Sequence, residues 1–381
     1  MSKLQRLRDN IAAIRHALTS SRYDADIMNK YSGFGGMTFL LNTLERKSWS
    51  KTDKQYYEDT VKLRQLLHDK SQNEDEYQAW MQSLKASTLT AYYTPREIPQ
   101  TLFNNLYHMA KSWNDHNIYP KKVLDPSAGT GVFICSVLHA SLDSGNIPKQ
   151  VGYELDLLTG TILKQRLVGH DIRIKGFETI PNEDLGTFDL VTTNVPFGNI
   201  SVFDPLYTNS KEQVKRDAAK MIHRYFVLKG LDCLRNGGVL AYILTSNYLN
   251  RDNDQLREAL KHSRLISAIR FPNNLFKEAG TEVGTDLLIL QKDESKQALT
   301  DDEQQLLTPI EMDDCPTNLY FNNHPDHIIA TSTEIGTDPY GKPGYIYHHK
   351  DGVQGIATDM DNLLKTELTH INRTLFNNTT P

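Results

Sequence analysis

The segment Asn194-Val195-Pro196-Phe197-Gly198 puts an amide, a backbone carbonyl and an aromatic ring on one short turn. It directly follows an apolar run, Phe188 to Val191, that reads as a buried strand. These groups suit one chemical problem. An exocyclic amine conjugated to a ring is a poor nucleophile because its lone pair is delocalised. The Asn194 amide oxygen and the Val195 carbonyl can each accept one of its N–H bonds, which favours a pyramidal nitrogen and aims the lone pair at an electrophile. Pro196 stiffens the turn. Phe197 offers a face on which an extruded base stacks, worth ~1–3 kcal/mol. The plain alternative is a polar turn after a strand.

The holder of the electrophile lies upstream. Asp125-Pro126-Ser127-Ala128-Gly129-Thr130-Gly131 follows the short strand Lys122 to Leu124 and opens a helix. Gly129 and Gly131 let the backbone approach a ligand without Cβ clashes. The free N–H groups and positive end of the helix suit a carboxylate, such as the methionine end of S-adenosylmethionine (SAM). Dinucleotide folds use a similar device. Glu154 narrows the choice, because it ends the strand Val151 to Glu154 where a ribose diol is bound, with Asp156 as a second candidate. Glu178, after the third strand, is placed to accept from the cofactor's adenine amine. The two segments together read as a SAM site facing an adenine site. No strong general base is needed, since the sulfonium drives transfer and the methylated amine loses its proton afterwards.

Alternating elements must carry these residues. Apolar spacing predicts strands at 122–124, 150–154, 171–174, 187–192, 238–244, 265–270 and 285–291. Helices are expected at 131–142, 158–167, 217–234 and 252–262. Thr94 and Pro95 read as the N-cap and first residue of a helix running to about Trp113. The alternation implies an α/β fold, a mostly parallel sheet covered on both faces. Ligands then sit at the carboxyl ends of the strands. Residues 1–90 read as a helical N-terminal region with a glycine-rich turn, Tyr31 to Gly36. Residues 91–292 read as the catalytic domain, and 293–381 as an acidic extension with a final helix near 359–376.

Composition sets outer limits. The chain has 381 residues, 39% apolar and 23% charged, ordinary for a globular protein. No apolar run approaches the ~20 residues of a membrane span, and Met1 to Ile14 lacks the apolar core of a signal peptide. Three scattered cysteines, Cys135, Cys233 and Cys315, fit a reduced cytoplasmic setting without a disulfide framework. The net charge of −5 is unevenly spread: residues 293–381 carry 15 acidic and 5 basic residues, leaving 32 and 37 for the rest. The body is thus the part suited to a polyanion. Pro205 to Arg235 holds 7 Lys/Arg against 3 Asp/Glu. Lys211, Lys215, Arg216, Lys220 and Arg224 are expected along a DNA backbone, or else on a solvated amphipathic helix. His223 and His324 read as structural, and no metal is expected.

The order Tyr93-Thr94-Pro95, Asp125 to Phe133, Glu154, Glu178 and Asn194 to Phe197 resembles the gamma-type N6-adenine DNA methyltransferases, whose SAM motif precedes the catalytic motif. The resemblance implies a Rossmann-like SAM-dependent methyltransferase fold with a seven-stranded sheet. It implies that Tyr93, Thr94 and Pro95 lie against SAM. Asp125, Ser127, Ala128, Gly129, Gly131 and Phe133 would hold the cofactor's methionine end, Glu154 its ribose and Glu178 its adenine. Asn194, Val195, Pro196 and Phe197 would form the catalytic turn. Two departures stand out: Val195 replaces the usual first proline, and Glu178 replaces an aspartate.

A narrower likeness covers about residues 28–350. Lys30 to Gly36, Ala86 to Thr94, Asn194 to Gly198, Ile269 to Asn273, Gly280 to Asp286 and Asn318 to Pro325 look like the methylase part of plasmid- and phage-borne proteins in which a Swi/Snf-type helicase follows. On that likeness Arg270 is expected beside the target base. The chain is expected to act alone or with a separate helicase or specificity partner, with short or relaxed sequence specificity. Other readings are methylation of RNA adenine or of a glutamine amide, or a non-catalytic module that protects mobile DNA.

Overall fold

The computed structural model describes residues 2–37, 39–42, 51–90, 92–113, 119–337, 341 and 343–377. Ala91, within the Ala86 to Thr94 motif, lies outside the described residues. Seven strands, β1 (Lys122–Asp125), β2 (Lys149–Tyr153), β3 (Asp171–Arg173), β4 (Phe188–Asn194), β5 (Leu234–Thr245), β6 (Ser263–Phe271) and β7 (Thr285–Lys292), form one sheet in the order β3-β2-β1-β4-β5-β7-β6. β7 runs antiparallel between β5 and β6, while β1 to β5 pair in parallel. The central strands are apolar on both faces, as helices on both sides require; Leu124, Val191, Leu240 and Leu288 are fully buried. This is the mostly parallel, Rossmann-like seven-stranded sheet that the resemblance implied.

The chain runs outward through β1, β2 and β3, then returns to place β4 beside β1. That reversal opens a crevice at the carboxyl ends of β1 and β4. Leu124 pairs in register with Val191, so the turn after Asp125 and the turn beginning at Asn194 emerge side by side.

The N-terminal helices Lys3–Thr19, Lys51–Lys70 and Glu74–Thr90 share a core with Leu158 and Ile162 of helix Leu157–Arg166. On the other side, helix Glu97–Ser112 packs with helices Val132–Leu142 and Gly352–Glu367, and Asn105 Nδ2 donates to Asp361 Oδ1 at 2.7 Å. The acidic C-terminal stretch therefore contributes to the main core. It also carries two hairpins, β8 (Pro309–Met312) with β9 (Cys315–Asn318), and β10 (Ser332–Thr337) with β11 (Pro343–His348).

Three local expectations change: the final helix expected near 359–376 is Gly352–Glu367, followed by the short helix Arg373–Asn377. The helix expected over 217–234 is two, Gln213–Ala218 and Ile222–Cys233, separated at Met221, which is extended (φ −142°, ψ 118°). The backbone N–H of Val202 takes the Ala219 carbonyl (2.8 Å) and the Ser201 hydroxyl takes that of Lys220 (3.3 Å), so these acceptors serve the loop after the catalytic turn. The helix expected from Pro95 starts at Glu97, and Thr94 does not cap it.

Candidate cofactor and target-amine site

The turn after β1 is shaped for close approach. Gly129 and Gly131 have φ of +53° and +82°, a region that favours glycine. A Cβ on Gly129 would come within 2.8 Å of the Tyr93 ring, and one on Gly33, in the N-terminal glycine-rich turn, within 2.3 Å of the same ring. Tyr93 is thus wedged between two glycines, with its hydroxyl 2.9 Å from Thr159 Oγ1. Asp125 lies beneath the turn and accepts from the Ser127 N–H at 3.2 Å. Its other oxygen has no partner, and burial pushes its carboxyl up to about 7.

Glu154 holds the turn from the neighbouring strand. Its two oxygens accept from Gly129 N–H and Asp156 N–H, each at 2.7 Å. Burial, reinforced by the Asp156 carboxylate, pushes it up to about 8. Each Glu154 oxygen keeps a further lone pair, to which a ribose diol can donate. Two hydroxyls, Thr94 Oγ1 and Ser87 Oγ, are buried without partners and line the same cavity of about 520 Å³. That volume is in the range that small molecules occupy. Glycine cradle, diol acceptor and orphaned hydroxyls together fit SAM.

Asn194 ends β4 at the edge of this cavity. Its Nδ2 donates to the Tyr92 carbonyl at 3.4 Å, while its Oδ1 is buried and has no partner. The amide is therefore turned with its acceptor free. Val195 is fully buried and its N–H donates to the Ile243 carbonyl at 3.0 Å. Valine at this position thus extends the β4–β5 ladder by one bond that proline lacks. Phe197 closes the turn, edge-on to Phe276 at 5.5 Å and parallel within 21° to Tyr92 at 6.5 Å. Beyond it lies a wider cavity of about 1150 Å³, and the linings of the two cavities meet at Tyr92 and Phe197.

The structure gathers most of the expected residues. Tyr93, Thr94, Ser127, Ala128 and Gly129 line the smaller cavity, as do Phe133, Glu154 and Asn194 with Val195, Pro196 and Phe197. Asp125 supports the turn from below, and Gly131, whose Cβ would meet Leu163 at 2.6 Å, starts the helix. Pro95 and Glu178 are outside the lining; Glu178 is half-buried on the short turn Phe177–Thr179. Sequence motifs missed Ser83 on helix Glu74–Thr90, and gave Ser87, which lies in the Ala86 to Thr94 motif, no role in the site. Ser83 Oγ donates to Asp156 Oδ2 at 2.6 Å and accepts from Leu158 N–H at 3.1 Å. No spacing rule links residues 83 and 156, so nothing local in the sequence signals the pair.

The basic candidates divide. Arg224 lines the wider cavity, and Lys211 is exposed. Lys220 is exposed and paired with Asp217 at 2.6 Å. Lys215 pairs with Asp232 at 3.3 Å near the far end of helix Ile222–Cys233, and Arg216 donates to the Ser210 carbonyl and Gln213 Oε1. Arg270, expected beside the target base, is among the residues lining the wider cavity, with its charge already paired inside the protein. It is 2% exposed, bonded through Nε and Nη2 to Asp286 at 2.9 and 3.0 Å, and its guanidinium lies 4.1 Å from the Phe321 ring centroid. This ion pair ties β6 to β7. His324, Asp326 and His327 have possible ligand atoms within 4.8 Å of one another. His324 Nε2 is already bonded to Asp302 (3.2 Å), and His327 Nδ1 to the Tyr320 hydroxyl (2.9 Å).

Residues 73–318 match the N-6 DNA methylase family, and the chain belongs to that family. Its methyl donor is SAM. Type II methyltransferase M.AccI of Acinetobacter calcoaceticus is 27% identical over 195 residues, 48% of this chain and 34% of the relative. The chain thus spans about a third of that curated relative. Among solved structures, the methyltransferase subunit of a type I restriction-modification system from Streptococcus thermophilus is 15% identical with a TM-score of 0.44, covering 83% of this chain and 73% of that one. The M protein of the type I restriction enzyme EcoKI is 14% identical with a TM-score of 0.42, covering 96% and 89%.

Proposed function

We propose that this chain transfers the methyl group of SAM to the exocyclic N6 amine of adenine in DNA. The observation that carries the reading is the Asn194 amide in the lining of the cofactor cavity: Nδ2 is tied to the carbonyl of Tyr92, a residue that cavity shares with the wider cleft, and Oδ1 is buried without a donor. A buried acceptor without a partner is costly, and a target N–H would satisfy it. When bound, SAM supplies an electrophilic methyl on a sulfonium. Asn194 Oδ1 and the Val195 carbonyl accept the two N–H bonds of the amine, Phe197 carries the base, and the amine sheds one proton to solvent after transfer. The base leaves the duplex stack at a cost of a few kcal/mol.

Glu154 is proposed to hold the ribose and the Gly129 turn the methionine end. Thr94 bonds the cofactor through its free hydroxyl, and Tyr93 and Pro95 shape the wall around it. Glu178 is proposed to reach the cofactor's adenine on closure around the ligand. Arg224, with exposed Lys211 and Lys220, is proposed along the DNA backbone, with Lys215 and Arg216 reached only when their present partners are released. The likeness to plasmid- and phage-borne methylases supports work on mobile-element DNA, restriction-linked or anti-restriction, in the cytoplasm, with a separate helicase or specificity partner and short sequence specificity. Among the described residues no helix is long and apolar enough to cross a membrane.

The test is tritiated methyl transfer from SAM to duplex and single-stranded DNA, with nucleosides resolved after digestion. Label is expected in N6-methyladenine, with at least a 100-fold loss in Asn194→Ala while SAM binding persists. Label in RNA or in a protein glutamine instead, with none in DNA, overturns the substrate.

A further inference from the structure

Phe197 has a second parallel neighbour on the side of the wider cavity. The His223 ring lies 6.5 Å from it, centroid to centroid, at 15°. Stacked aromatic pairs fall at ~4.5–7 Å, so these two faces are parallel but at the wide end of that range. Both side chains line the wider cavity. His223 is 7% exposed, and its Nδ1 is buried without a hydrogen-bond partner. Burial lowers the imidazole to about 4, so it is a neutral ring at physiological pH. An imidazole that makes no hydrogen bond through Nδ1 is not explained by the packing of helix Ile222–Cys233. Its placement is specific, because the break at Met221 brings the first turn of that helix against the catalytic turn.

We propose that His223 is the second wall of the target-base slot, so that an extruded adenine is held between the faces of Phe197 and His223 with its amine at Asn194 Oδ1. This rests on the adenine reading above. It gives His223 the role of a positioning residue that acts through its face. A neutral ring suits that place, since a cation there would stand against the sulfonium of SAM. Rings that part slightly to admit a base exchange a loose pair contact for two base–ring contacts, each sequence-tolerant because every base presents a π-face.

The test uses the full chain and a duplex carrying 2-aminopurine at an adenine that the wild-type chain methylates. If no DNA adenine is methylated, the adenine reading itself fails; the slot is tested only against a wild type that extrudes the base. Expected results are brighter 2-aminopurine with His223→Ala, as one quenching face is lost, and a KM for DNA raised roughly tenfold or more with SAM affinity unchanged. His223→Phe should restore quenching and KM, and His223→Gln should not. Wild-type fluorescence and KM in His223→Ala overturn the proposal. Rescue by Gln rather than Phe also overturns it, because it assigns hydrogen bonding instead of stacking. If His223→Ala does not fold, the Phe and Gln variants decide between the same outcomes.

Discussion

Glu154 carries the clearest pH signature of the site. An acid pushed up by burial is favoured in its neutral form, whereas ribose hydroxyls bond best to its carboxylate. Binding of SAM then draws off its proton. The affinity of the wild type is expected to rise with pH up to about 8 and level off above it. Glu154→Gln should lose that rise and bind about tenfold or more weakly, since a hydrogen bond to a charged group contributes ~1.5–3 kcal/mol. Calorimetry across pH with both proteins checks this; an identical slope in the variant refutes the assignment. Val195 supports a second prediction at this scale. Val195→Pro removes the bond to the Ile243 carbonyl and should destabilise the chain by about 1–3 kcal/mol in chemical denaturation. Residue types were legible where the chemistry is local, as in Asn194 and the Gly129 turn. His223 reads as structural in the sequence, because a ring that acts through its face has no spacing signal, and the likeness sets Arg270 beside the target base without its neutralising partner, because Asp286 lies opposite it on the adjacent strand rather than nearby in sequence.

At the scale of elements, the N-terminal helices reach the cofactor cavity through Ser83, Ser87 and the Gly33 turn. Asn10 Nδ2 donates to the Gly33 carbonyl at 2.6 Å and Arg6 Nη2 to the Gly35 carbonyl at 3.4 Å, so the first helix holds the turn against Tyr93. Gly33→Ala strains a φ of +67° and drives a methyl into the Tyr93 ring. SAM affinity should fall several-fold, read by calorimetry, with a loss of stability of only ~1 kcal/mol. Unchanged affinity would mean that Tyr93 does not shape the cavity. The parallel strands were legible as continuous apolar runs. The β10–β11 hairpin was not, because Ser332 to Thr337 is almost wholly exposed and carries no alternating apolar face.

The whole molecule is tied together at the β6–β7 edge. Arg270 bonds Asp286, Asn250 Oδ1 at 2.6 Å and Thr317 Oγ1 at 3.3 Å, joining the sheet to the loop after β5 and to the C-terminal hairpin. Removing one partner of a buried pair leaves an uncompensated charge, so Asp286→Ala should cost about 3–5 kcal/mol. A denaturation midpoint close to wild type would show that the pair is dispensable. Composition alone marked the C-terminal stretch as an appendage, because charge counts do not register that Ile356, Met360 and Leu364 are fully buried against the sheet's helices.

Among the described residues, the linings of the two cavities share only Tyr92 and Phe197. For the proposed reaction, cofactor and bound strand then occupy different cavities, and spent cofactor is expected to exchange for fresh while the strand stays bound. Such an arrangement favours several modifications per encounter on one long DNA, countable by adding excess unlabelled competitor after the first turnover.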